Sequence, residues 1–172
     1  IQIMLDPADC GPACISLSQD VQGEVFEYPE DFFKERVHVI RRPKPDDYQI
    51  KEAAELIKKS KKPLIISGGG VFYSDATDEL SSFATKHNIP VTQTVMGYST
   101  MKKDHSHYLG AIGGLGGRAA NNLSKETDMA IAIGTKLADF TTGSWANFEN
   151  PDFKLVSINA GRFDANKHMA QA

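Results

Sequence analysis

Three groups of residues in this 172-residue chain have types and spacings that could do chemistry. Glycines lead. Gly68, Gly69 and Gly70 follow an apolar run, and "GLGGRA" (114–119) fits G-x-G-x-x-A ahead of a helical stretch. A bare backbone turns sharply and lets a phosphate approach, so either turn could cradle an anion or simply reverse the chain. The second has no convincing strand before it, and the acidic residue expected about twenty positions later would be Asp139, beyond the next strand. Cysteines come next. Cys10 and Cys14 stand at C-x3-C spacing, but His38 is distant and no second cysteine pair exists, so a four-ligand metal set is incomplete. Two buried free thiols are expected instead. Histidines are third. His105 and His107 would share a face on a strand, yet "KKDHSHYLG" reads as a solvated loop, and His87 reads as a packed ring on an apolar helix face. No H-E-x-x-H, G-x-S-x-G or P-loop occurs, so no catalytic or metal-ligating residue is assigned.

The elements that must carry these groups follow from apolar spacing. In "DDYQIKEAAELIKKSKK", Ile50, Ala53, Ala54 and Ile57 recur at i, i+3, i+4, i+7, which predicts a helix with one buried face, capped by Asp46 or Asp47. "PLIIS" (63–67), bounded by Pro63 and Gly68, predicts a buried parallel strand. A second helix is expected from Ser74 or Asp75, burying Ala76, Leu80, Phe83, Ala84 and His87. Strands are expected at 89–94, 129–134 and 154–159, with a helix in "RAANNLSKETD" before the second of these three. Nearer the start, Ala13 to Leu17 reads as a short strand, and residues 21–47, with Pro29, Pro43, Pro45 and Arg41-Arg42, read as a linker. Trp145, in a polar loop, is expected to be partly buried against its own domain. Strands alternating with helices on this spacing predict an α/β fold: a Rossmann-like parallel sheet flanked by helices.

Composition narrows the function classes. With 19 Lys+Arg against 22 Asp+Glu the net charge is −3, which leaves no basic excess for nucleic acid. No apolar run reaches the ~18 residues of a membrane span. Two cysteines and no leader predict a reducing cytoplasm, and an initial Ile1 suggests a piece of something longer.

Six ordered blocks resemble the central domain of thiamine-diphosphate-dependent enzymes of the acetolactate synthase group. "CGPACISLSQDV" (10–21) is similar to the "GPVxxxxPxDV" ending the family's pyrimidine-binding domain, with Ser18 at the usual proline. "AAELIKKSKKPLIISGGG" resembles the start of the central domain, and "TQTVMGYS" resembles "TTLMGLG". "DHSHYLGAIGGLGGRAANN" is similar to "DHPLYLGMLGMHGTxxAN", and "ETDMAIAIGTKLADFTTG" to "xADLIIAVGxRFDDRxTG". "KLVSINAGRFDANK" stands where the family has "xxIHIDIDPxEIGK". Within the group, "DPADCGPACISLSQDVQGE" and "SINAGRFDANKH" resemble the branch that opens the ring of trihydroxycyclohexane-1,2-dione in myo-inositol catabolism. Acetolactate synthases, related thiamine-dependent lyases and a free-standing nucleotide-binding module are the alternatives.

The resemblance implies thiamine diphosphate and Mg²⁺ in the full-length enzyme, at sites outside these residues, so the fragment itself is expected to be inert. It divides the chain into the end of a pyrimidine-binding domain (1–20), a linker (21–47) and the central domain (48–172). The implied partners are the flanking pyrimidine- and diphosphate-binding domains and further copies in a homodimer or homotetramer, with no nucleic acid and no membrane. Central domains of the group hold FAD or ADP in some members. Gly68, Gly69, Gly70, Met96, Gly97, Gly113 and Gly116 match the glycine-lined positions. Against that, Leu115 replaces a histidine, Lys136-Leu137-Ala138-Asp139 loses an arginine, and Asn159 and Gly161 replace an acidic pair. The expectation is a mainly structural, vestigial nucleotide fold without tight FAD or ADP, with at most a weak anion site at the glycines and Asn159.

Overall fold

The computed structural model describes all 172 residues. They divide into two compact units, Ile1–Pro43 and Lys44–Ala172.

The first unit holds α1 (Gln2–Leu5), a 3-10 turn at Val21–Gly23 and another at Glu30–Phe33. None of its residues is buried. The strand expected at Ala13–Leu17 does not form, because a strand needs a neighbour for its backbone groups and this unit offers none. The expectation of buried thiols also fails: Cys10 and Cys14 are both exposed. Phe26, Tyr28, Phe32 and Phe33 gather into edge-on and tilted ring contacts on its surface.

The second unit is a parallel α/β sandwich. It contains α2 (Asp47–Lys59), β1 (Pro63–Ser67), α3 (Gly69–Tyr73), α4 (Thr77–His87), β2 (Val91–Gln93) and β3 (Tyr108–Ala111). There follow α5 (Arg118–Glu126), β4 (Met129–Ile133), α6 (Asp139–Thr142), β5 (Lys154–Ile158) and α7 (Arg162–Asn166). The sheet order is β3-β2-β1-β4-β5, and every pairing is parallel. Continuous apolar runs suit such strands because both faces are covered. Alternate residues supply two cores. Ile65, Met129, Ile131 and Val156 pack with Leu80 and Ala84 of α4, while Ile66, Ala130, Ala132 and Leu155 pack with Ala120 of α5. Trp145 is half-buried against the second core, as expected.

Several boundaries depart from the sequence reading, each for a local reason. The stretch after β1 is two helices rather than one. Asp75 takes a left-handed φ of 56°, which separates α3 from α4 and moves the start of α4 to Thr77. His87 is exposed at the C-terminus of α4, although its ring lies 4.5 Å from that of Phe83. Ile50, at the start of the α2 stripe, is 50% exposed, and it is Leu56 that joins Ala53 and Ile57 against the core. A strand does precede "GLGGRA": β3 pairs with β2 across a register irregularity, and Gly110 interrupts its apolar pattern. No helix is long and apolar enough to cross a membrane.

Candidate functional site

Because all five strands are parallel, every connection that leaves a strand C-terminus lies on one rim of the sheet. Chain direction reverses about β1: β2 and β3 follow to one side, β4 and β5 to the other. Ligands of open α/β sheets sit at such a switch point, here between β1 and β4. The glycines singled out in the sequence are all on this rim, and the structure brings most of them together.

Gly68 and Gly70 lie against the turn after β4. The Gly68 N–H donates to the Ile133 carbonyl at 2.8 Å, and the Gly70 N–H donates to the Gly134 carbonyl at 2.9 Å. A Cβ on Gly68 would stand 2.3 Å from the Gly134 oxygen. On the other side of β1, a Cβ on Gly97 would stand 2.1 Å from the Ser67 carbonyl, and one on Gly69 would stand 2.9 Å from the Met96 carbonyl. The Gly97 N–H is held by Thr94 Oγ1 at 3.0 Å, while the Met96 side chain is exposed.

Gly113 and Gly116 form a second focus, after β3. Gly113 has φ +96°, and a Cβ there would stand 2.2 Å from the Phe140 carbonyl. Asn121 of α5 clamps it from both sides: Oδ1 accepts the Gly113 N–H at 2.9 Å, and Nδ2 donates to the Gly113 carbonyl at 3.0 Å. The Gly116 N–H donates to the Gly113 carbonyl at 2.8 Å. Asn159, beyond β5, is equally occupied, since its Oδ1 accepts the Gly161 N–H at 3.0 Å and its Nδ2 donates to the Thr135 carbonyl at 3.1 Å.

The donors an anion would need at Gly68, Gly70, Gly97, Gly113 and Gly116 are thus engaged within the chain. What the glycines do here is let turns interlock, backbone on backbone. Sequence reasoning passed over Gly134 and Asn121, which complete the two foci. Gly134 was visible as the glycine directly after "MAIAI", whereas Asn121 carried no signal in a polar helix.

A buried polar network fixes the loop after β2. Thr100 Oγ1 accepts from Ser67 Oγ at 2.5 Å and from Gln93 Nε2 at 3.2 Å, and it donates to the Gly97 carbonyl at 2.7 Å. Gln93 Nε2 also reaches the Met101 carbonyl. Beside it lies a concavity of about 220 Å³ lined by Gln93, Tyr98, Met101 and Lys103. The Lys103 ammonium sits 5.2 Å over the Tyr98 ring, and side-chain hydrogen bonding to Tyr98 holds it above the usual lysine range.

The larger cleft, about 380 Å³, is at the opposite edge, between the end of α2 and the starts of β4 and β5. There the Asp128 carboxylate accepts from Ser60 Oγ and from the backbone N–H groups of Lys61 and Lys62. Desolvation pushes this carboxyl up, but the three donors together outweigh it and hold it below the usual range. His105 and His107 lie in the turn leading into β3 and are half-buried. His105 Nε2 meets Thr85 Oγ1, and His107 Nε2 meets Asn88 Oδ1. No group of three or more His, Cys, Asp or Glu is placed to hold a metal ion.

The family model described as "Thiamine pyrophosphate enzyme, central domain" matches residues 50–172. The chain belongs to that family. Curated relatives extend the likeness to almost its whole length. A 3D-(3,5/4)-trihydroxycyclohexane-1,2-dione hydrolase of Clostridium botulinum (strain Eklund 17B / Type B) is 49% identical over 167 residues. That alignment covers 97% of this chain and 26% of the relative. Proteins of the same name from Clostridium tetani and Bacillus licheniformis are 47% and 45% identical, covering 97% and 96% of this chain and 26% of each relative. The chain therefore spans about a quarter of the length of these relatives. As a central domain of the thiamine pyrophosphate family, it carries an interlocked glycine rim at its strand C-termini.

Proposed function

We propose that the full-length protein carrying this chain is a thiamine-diphosphate- and Mg²⁺-dependent hydrolase. It opens the ring of 3D-(3,5/4)-trihydroxycyclohexane-1,2-dione in myo-inositol catabolism, in the cytoplasm. The observation that carries this reading is the 49% identity over 167 residues, which extends through the irregular first unit as well as the sheet. In this reading residues 1–20 end a pyrimidine-binding domain, 21–47 are a linker and 48–172 are the central domain. The cofactor, its metal and the catalytic groups belong to flanking domains, and the active species is a homodimer or homotetramer. The chain's own part is architectural: it spaces the flanking domains and is inert alone. FAD and ADP are not tightly held. The engaged N–H groups of Gly68, Gly70 and Gly113 and the occupied side chain of Asn159 support that, and a weak anion contact along the rim is the most these groups offer.

The test is to express the full-length protein and assay it with the dione. Ring opening that requires both thiamine diphosphate and Mg²⁺ is the expected result. Turnover of pyruvate in place of the dione, or hydrolysis without thiamine diphosphate, overturns the reading.

A further inference from the structure

The turn that leads into β3 is tied to α4 through two histidine rings, and the partners of one ring fix where its proton sits. The His107 N–H donates to His105 Nδ1 at 3.2 Å. A backbone N–H can only donate, so Nδ1 carries a lone pair. On the other side of the ring, His105 Nε2 lies 3.2 Å from Thr85 Oγ1. The Thr85 hydroxyl commits its one proton to the Ser81 carbonyl at 2.8 Å, so its oxygen accepts and Nε2 donates. Both partners select the same neutral tautomer, with the proton on Nε2.

His107 is placed differently. Its Nε2 meets Asn88 Oδ1 at 2.9 Å, and its Nδ1 meets Ser106 Oγ at 3.0 Å. A hydroxyl donates or accepts, so this ring keeps both contacts whether Nδ1 is bare or protonated. His105 has no such freedom. A proton on its Nδ1 would point at the His107 N–H, donor against donor. No neighbouring charge compensates, since none of the chain's ion pairs includes either histidine. The titratable and charged groups on the segments packed here are Lys86 and His87 at the end of α4, and Lys102, Lys103, Asp104, His107 and Tyr108 in and after the turn. β2 contributes none, and the His87 ring lies on Phe83.

These bonds stand where β3 begins. The Tyr108 N–H donates to the His105 carbonyl at 2.9 Å, and the Val91 N–H donates to the His107 carbonyl at 2.8 Å. The second of these opens the pairing of β2 with β3, an edge strand whose one neighbour is β2 and whose register is irregular.

We propose that His105 is a proton-operated latch at this edge of the sheet: the neutral ring joins the turn to α4, and protonation releases the turn and the start of β3. The proton comes from water and goes to Nδ1, and the His107 N–H loses its acceptor. The latch is closed above the ordinary histidine range and opens as pH falls through it. Opening is local, because β1, β4 and β5 pair without this turn.

Hydrogen–deuterium exchange of the full-length protein at about pH 7.5 and about pH 5.5, corrected for the intrinsic pH dependence of exchange, tests this. Peptides within 102–108 should exchange about tenfold faster at the lower pH, while those of β1 and β4 stay protected. His105→Asn separates the acceptor from the proton. Its Oδ1 can accept the His107 N–H as in an Asx turn and takes up no proton in this range, so the segment should stay protected at both pH values. Equal exchange of the wild-type segment at both pH values overturns the proposal, as does loss of protection across the whole sheet in acid. A His105→Asn variant as acid-sensitive as wild type also overturns it, because the trigger would then be another group. So does a variant already open at neutral pH, because the Thr85 contact rather than the Nδ1 acceptor would then hold the turn.

Discussion

Gly70 and Gly134 meet backbone to backbone where the chain leaves β1 and β4. A Cβ on Gly70 would stand 2.5 Å from the Gly134 Cα, and the Gly134 φ of +59° is one that side chains rarely adopt. Gly70→Ala and Gly134→Ala should each destabilise the fold by about 3 kcal/mol, since backbone is met where no rotamer can yield. Gly110→Ala is the control. Its φ is +88° but nothing lies within 4 Å, so strain alone should cost about 1 kcal/mol. Urea unfolding of the three variants measures the difference, and equal losses would show that packing at the switch point is unimportant.

Asp128 ties the turn between α2 and β1 to the start of β4. Its carboxyl is held below the usual range because three hydrogen bonds outweigh its desolvation. A carboxyl lowered in the folded state contributes stability that is present above its unfolded value, about 3.9, and is lost as pH falls through the folded value. Asp128→Asn should therefore cost about 1 kcal/mol at neutral pH, allowing for its partial exposure. The same variant should match wild type at pH values below both titrations. Stability measured against pH for the two proteins should converge in acid, and parallel curves would refute the role.

Thr100 Oγ1 is fully used, accepting from Ser67 and Gln93 and donating to Gly97. Thr100→Val keeps the shape but leaves the Gly97 carbonyl without its hydroxyl donor and removes the acceptor shared by Ser67 and Gln93. The expected loss is about 2 kcal/mol, close to the penalty for a buried unsatisfied polar group. Thr100→Ser should recover most of it. A Val variant as stable as wild type, measured by thermal unfolding, would show that the loop after β2 does not depend on this network.

The sheet was legible because β1 and β4 are nearly continuous apolar runs, as burial on both faces demands, and β5 carries the apolar pair Leu155-Val156 at its centre. β3 escaped because Gly110 breaks its pattern and Tyr108, Leu109 and Ala111 are only half-buried at the sheet edge. The division of the stretch after β1 was hidden in the left-handed Asp75, a conformation that residue type permits but does not announce. The rim glycines were found by type and by context. Their role was not, because whether a glycine N–H faces a ligand or a neighbouring carbonyl depends on long-range packing. Gly70 meets Gly134 across 64 positions of chain, and no local pattern encodes that contact. Cys10 and Cys14 were misplaced for a related reason: burial is a property of a core, and the first unit has none.

Residues 34–46, which join the two units, carry no regular structure, and all of them are exposed. Exposed irregular chain is where proteases cut first. Arg36 and Arg41 lie within it, whereas the Arg42–Pro43 bond is shielded by its proline. Brief trypsin treatment of the 172-residue chain should cut after Lys34, Arg36 and Arg41 and leave a resistant product that runs to Ala172. The lysines of α2 and α5 should survive longer, because reaching them requires opening helices packed on the sheet. Mass spectrometry of the early products decides the matter. First cuts at Lys59 or Lys125 would mean that the sheet and its helices do not hold together as a unit.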